Sequence, residues 1–79
     1  MTKADKRIQK MRRNPKNVRF DDVDAVLLAL GFQKRQRGSH AIYTLNRWRI
    51  TIPTRKPFIL SVYVKELLVL LDELLDGEE

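Results

Sequence analysis

Residues 41–52 read AIYTLNRWRITI. Two runs in this stretch, AIYTL (41–45) and WRITI (48–52), alternate apolar and polar side chains, the period of a half-buried strand. Asn46-Arg47 between them is a two-residue link of the kind that closes a tight hairpin. Antiparallel pairing through that link sets Leu45 opposite Trp48, Tyr43 opposite Ile50 and Ala41 opposite Ile52, all on one face. The other face carries His40, Ile42 and Thr44 beside Arg49 and Thr51. A slip of one residue would drive Arg49 into the core, so the pattern specifies this register.

Working outward, Phe32–Arg37 supplies a first strand that turns at Gly38-Ser39 into His40. On the same parity Lys34 falls on the core side, and its ammonium is expected to snorkel out at the sheet edge. Upstream, Asp21 is a suitable N-cap, with Asp22 and Asp24 near the positive end of the helix dipole. Val23, Val26, Leu27 and Leu30 give that helix an apolar face, and Gly31 stops it. Lys3–Arg13 forms an earlier helix with Ala4, Ile8 and Met11 along one side, ended by Asn14-Pro15.

Downstream, PTRKPF (53–58) is a loop held by two prolines. Ser61 is placed to cap a last helix over Val62–Asp76, whose core stripe is Val64, Leu67, Leu68, Leu71, Leu74 and Leu75. Tyr63, Val69 and Leu70 widen the stripe and are expected to cover the first helix, the alternative being that they await a partner. The result is one α+β domain over 1–79: an extra N-terminal helix (1–13), then a core (21–76) of helix, three antiparallel strands and helix. Helices pack on one face of the sheet, and the other face is open.

A 79-residue chain supports one small core and buries roughly 60% of its unfolded surface. With no cysteine, disulfides, thiolate chemistry and cysteine-based zinc sites are excluded. A single histidine argues against a protein-only metal cage, and no metal or cofactor is expected. The basic start, TKADKRIQKMRR (2–13), is not Ser-rich as a transit peptide would be, and no apolar run approaches a membrane span. The chain is expected to be cytoplasmic and away from membranes.

The net charge of +6 is unevenly spread. Residues 1–57 carry 15 Lys/Arg against four aspartates, whereas residues 58–79 carry one lysine against six acids. Residues 33–56 hold Lys34, Arg35, Arg37, Arg47, Arg49, Arg55 and Lys56 with no acid among them. Such a patch attracts polyanions, above all nucleic acid; a merely solvated face is the alternative reading.

His40 is the only histidine. The pattern stands it at the first position of the middle strand, on the open face, among Arg35, Arg37 and Arg49. An imidazole exchanges a proton near neutral pH, and neighbouring guanidiniums can hold a phosphodiester and offset charge growing on its oxygens. RNA carries its own nucleophile, the 2′-hydroxyl. A base or acid plus cations can therefore cleave it without a metal. The alternative is that His40 is only an exposed polar strand residue. Tyr43 and Trp48 could stack on bases, but their parity assigns them to packing.

The segments LGFQKRQRGSHAIYT (30–44), WRITIPTRKP (48–57) and VYVKELLVLLDEL (62–74), in this order and spacing, resemble the HicA-type toxins of bacterial toxin–antitoxin operons. The leader NPKNVRFDDVDAVL (14–27) also looks like a longer-headed branch of that family. The resemblance covers about residues 14–75. It implies a fold like the double-stranded-RNA-binding domain with an extra helix in front. It also implies mRNA cleavage by the histidine of the Gly-Ser-His turn, here His40, and a HicB-type antitoxin that covers the active face.

Two places depart from the family pattern. A second histidine that often follows the first is Ala41 here, and a histidine found beyond the proline in other relatives is replaced by the run Thr54, Arg55, Lys56. Lys65 followed by Glu66 also lacks the lysine cluster with which duplex binders open their last helix.

The expectation is accordingly a metal-independent endoribonuclease acting on single-stranded RNA or mRNA. His40 is its general base or acid, Arg37 and Arg49 hold phosphate, and Arg35, Arg47, Arg55 and Lys56 steer the strand. Ser39 orients the imidazole, binds phosphate or only shapes the turn. The alternative is a non-catalytic RNA-binding module using the same face.

Overall fold

At Gly31 the chain leaves helix for strand through a defined cap. A computed structural model describes residues 2–76. The helix α2 spans Phe20–Ala29, and beyond it the Gly31 N–H donates to the Leu28 carbonyl (3.1 Å) and the Phe32 N–H to the Leu27 carbonyl (3.0 Å). These are the paired bonds of a Schellman motif, which needs a left-handed residue at its turn. Gly31 supplies it with φ of 97°. Phe32, just past the cap, is buried.

The order of elements is α1 (Lys3–Arg13), α2, β1 (Gln33–Arg37), β2 (His40–Leu45), β3 (Trp48–Pro53) and α3 (Ser61–Asp76). The three strands form one antiparallel sheet in the order β1-β2-β3. The β2–β3 register is the one the alternation dictates: Ala41 opposite Ile52, Tyr43 opposite Ile50 and Leu45 opposite Trp48. Ala41, Tyr43, Ile50 and Ile52 are buried under the helices, together with Ile8, Met11, Val23, Val26, Leu27, Val64, Leu67 and Leu71. The protein is thus an α+β chain with helices on one sheet face and the opposite face uncovered.

Several local expectations are corrected. Helix α2 starts at Phe20, one residue before the aspartate expected to cap it. Its N-cap, Arg19, has no acceptor side chain, so the Asp22 carboxylate reaches back to the Arg19 N–H (3.4 Å). Ser61 is likewise the first residue of α3 rather than its cap, and the Leu60 carbonyl accepts the first helical bonds. Strand β1 begins at Gln33, because Phe32 belongs to the helix cap. Leu75 has the right angle for the core stripe but sits in the last turn of α3, where 41% of it stays exposed. Val69 points to solvent, whereas Tyr63 and Leu70 pack against the core.

Helix α1 opens with a capping box between Thr2 and Asp5. It is tied to α2 by Arg7–Asp22 (3.0 Å) and to α3 by the ion pair Arg12–Asp72. The Arg12 guanidinium holds the exposed Asp72 carboxyl below its ordinary pKa.

Lys34 stays exposed at the sheet edge, as expected, and its ammonium also finds a partner: it pairs with Asp24 of α2 (2.9 Å) and passes over the Phe20 ring (5.3 Å). The same carboxylate oxygen accepts the Tyr43 hydroxyl (2.6 Å). Partial burial alone would raise the Asp24 pKa, but the hydrogen bonds from Tyr43 and Lys34 outweigh it and hold the carboxyl below its usual range. Burial, and then the bond to Asp24, push the Tyr43 phenol far above its ordinary value.

Replacing this carboxylate leaves a half-buried ammonium without its counter-charge. Asp24→Asn is expected to cost about 1–2 kcal/mol at neutral pH, read as a lower urea midpoint with unchanged slope. A carboxyl whose pKa is depressed by folding contributes fully above its unfolded pKa and loses that contribution as pH falls through the folded value. The gap between wild type and Asp24→Asn should therefore narrow on acidification toward about pH 3.

Candidate active site

The uncovered sheet face is a grid set by strand register. Its first row is Arg37–His40–Pro53, the second Arg35–Ile42–Thr51 and the third Gln33–Thr44–Arg49. Arg37 is therefore the direct cross-strand neighbour of His40, with Cβ atoms about 5 Å apart. Arg49 stands on the same face, two rows and roughly 14 Å of strand from His40.

The turn that presents His40 is held from both sides. Gly38 takes φ of 60°, while Ser39 keeps negative φ, the pattern of a type II′ turn. A Cβ at residue 38 would meet nothing, so the glycine answers a backbone need rather than a close approach. Gln36 Nε2 donates to the Gly38 carbonyl (3.0 Å). The Ser39 carbonyl accepts both the Thr54 N–H (2.8 Å) and the Thr54 hydroxyl (3.0 Å). The residue after Pro53 thus pins the His40 turn to the end of β3.

His40 is exposed at the meeting point of two clefts. One, of about 470 Å³, lies between β3 and α3 and is lined by His40, Arg49, Thr51, Tyr63 and Glu66. The second runs from His40 past Pro53 to Arg55, Leu60 and Tyr63. A third, adjoining groove is lined by Arg35, Arg37, Ile42, Thr44 and Arg49 on the open face. The volume of the first cleft is in the range that accepts a small ligand.

Five of the residues selected from sequence come together here: His40, Arg35, Arg37, Arg49 and Arg55. Ser39 belongs to the turn and contributes its carbonyl to Thr54. Two others lie elsewhere. Arg47 sits in the Asn46-Arg47 turn at the opposite end of the hairpin, its guanidinium over the Trp48 ring (5.0 Å). Lys56 lines one groove with Arg19, Phe20 and Pro57 and another with Arg55, Ile59 and Leu60, and borders neither of the clefts that His40 lines. Tyr43 is committed to Asp24 in the core and Trp48 is half-buried, as their parity indicates.

Sequence reading missed Tyr63 and Glu66 as walls of the His40 cleft; Thr51, which the alternation places on the face of His40, lines it too. Tyr63 and Glu66 are three apart on one helix and so share a face, which was the available signal. Their meeting with β3 depends on how α3 crosses the sheet, which periodicity does not encode. Among the described residues there is no group of three or more metal-ligating side chains, and no helix is long and apolar enough to cross a membrane.

No protein-family model, curated protein or solved structure matches this chain.

The grid separates the arginines by role. Arg37→Ala and Arg49→Ala are each expected to weaken binding of a single-stranded polyanion and to lower the slope of log affinity against log salt by about 0.7 per lost phosphate contact. Arg47→Ala should leave both unchanged. Fluorescence titrations with an oligonucleotide at several salt concentrations give the comparison.

Proposed function

We propose that this chain is an endoribonuclease toxin of the HicA type, which cleaves single-stranded mRNA without a metal and is restrained by a HicB-type antitoxin in the cytoplasm. Its fold is then read as a variant of the double-stranded-RNA-binding domain, with α1 as the added helix and the open sheet face turned from duplex recognition to cleavage. The observation that carries the reading is the row Arg37–His40: a proton-exchanging ring beside a fixed cation, on an uncovered basic face. The family resemblance of residues 14–75 supports the same reading.

In this reading the RNA backbone lies along the open face. Arg37 holds the phosphate next to His40, and its charge offsets what develops on the non-bridging oxygens. Arg49 and Arg35, one or two rows away, hold neighbouring phosphates, and Arg55 guides the strand at the other end. His40 moves a proton at the 2′-oxygen or at the leaving 5′-oxygen. The position after His40 is filled by Ala41, which is buried, so a second histidine there would enter the core and could not join the same face. The groove of Arg35, Arg37 and Arg49 also suits a module that binds RNA without cutting it, and the experiment separates the two.

Wild type and His40→Ala are incubated with single-stranded RNA in EDTA. Wild type should generate new ends, and His40→Ala should lower the rate by about 10²–10⁴-fold while its RNA affinity stays within about twofold. Salt-sensitive binding with no cleavage by wild type would identify the binding module instead.

A further inference from the structure

Cleavage by the 2′-hydroxyl requires two proton transfers, one from the nucleophile and one to the leaving oxygen. The chain has a single histidine. The side chains that share a cleft with His40 and carry exchangeable protons or charge are Arg49, Thr51, Arg55, Tyr63 and Glu66. Guanidiniums do not give up a proton in proteins, and the threonine and tyrosine hydroxyls offer donors rather than a base at neutral pH. Glu66 is the one carboxylate among the described residues that lines a cleft with His40.

Its position is specific. Tyr63 borders both clefts at His40, and Glu66 follows three residues later on the same helical face, about 4.5 Å further along the axis. That places it beside Thr51 and Arg49, across the cleft from the open sheet face. Glu66 forms none of the ion pairs among the described residues; those acids are Asp22, Asp24 and Asp72. Glu66 shares its cleft with one guanidinium, Arg49, and pairs with none, and an unpaired carboxylate there opposes phosphate binding. It gains a use if it acts on the strand that the arginines hold.

We infer that Glu66 is the second catalytic residue, the general base to His40's general acid, in a site that accepts the ribose and phosphate of a single RNA step. The inference rests on the nuclease reading above. A carboxylate oxygen of Glu66 takes the 2′-hydroxyl proton. The freed electron pair of the 2′-oxygen forms the bond to phosphorus, the bond from phosphorus to the 5′-oxygen breaks, and that oxygen takes a proton from the His40 imidazolium. The products are a 2′,3′-cyclic phosphate end and a 5′-hydroxyl end. No water, oxidant or metal is consumed, and solvent restores both residues to their starting protonation.

The test compares wild type, Glu66→Gln and Glu66→Asp by cleavage rate across pH, and by affinity for a 2′-O-methyl RNA that cannot react. Wild type should show a bell-shaped profile and leave cyclic-phosphate ends. Glu66→Gln should slow cleavage by about 10²-fold or more, lose the acid limb of the profile, and bind the unreactive RNA as tightly or more tightly. Glu66→Asp should recover part of the rate. Cleavage by Glu66→Gln within about threefold of wild type with the same profile would overturn the assignment and leave His40 and the nuclease reading standing. Faster cleavage would mark Glu66 as a repulsive bystander and overturn it equally. No cleavage by wild type removes the nuclease reading and this inference together.

Discussion

A single carboxylate oxygen, Asp24 Oδ1, accepts the Tyr43 hydroxyl and the Lys34 ammonium under the sheet. Three elements meet there: α2 brings the acid, the middle strand the phenol and the edge strand the amine. Tyr43 satisfies its polar end only when it faces α2. That adds a directional bond to the apolar preference of Ala41, Ile50 and Ile52 for the same face. Because side chains alternate along a strand, fixing Tyr43 inward fixes His40, three residues earlier, outward. The parity of the middle strand thus ties the stability of the core to the exposure of the imidazole.

The hairpin and its register were legible because only one pairing of AIYTL with WRITI keeps arginine out of the core. The stop at Gly31 was legible for a similar reason, since glycine there meets a left-handed backbone. Cap positions were less so. Asp21 and Ser61 both look like N-caps, yet α2 starts two residues and α3 one residue earlier than those caps require, and other backbone or side-chain partners satisfy the free groups. Lys34 shows a different gap. Strand parity placed it on the buried side, but its partner is 10 residues away on a helix whose rotation the sequence pattern leaves open.

The candidate site divides in the same way. Positions on the open face, His40, Arg35, Arg37 and Arg49, followed from alternation alone. Arg47 and Lys56 were grouped with them by charge; the fold sends Arg47 to the far end of the hairpin and leaves Lys56 beside Arg55 but outside the clefts that His40 lines. Tyr63 and Glu66 belong to the last helix and reach the site only through tertiary packing. The basic face therefore has an acidic edge: guanidiniums cover the sheet, and one carboxylate faces them from α3.

The central claim is that nucleic acid lies on the open sheet face, against His40 and its arginine neighbours. Amide and imidazole NMR shifts of the labelled protein, followed during titration with a short 2′-O-methyl RNA, test it directly. The largest changes should fall on Arg35, Arg37, His40, Arg49 and Thr51, with Ala41, Ile52 and the outer face of α1 nearly silent. Changes centred on α1 or on the exposed Val62–Val69 side of α3, with the His40 ring unmoved, would contradict it.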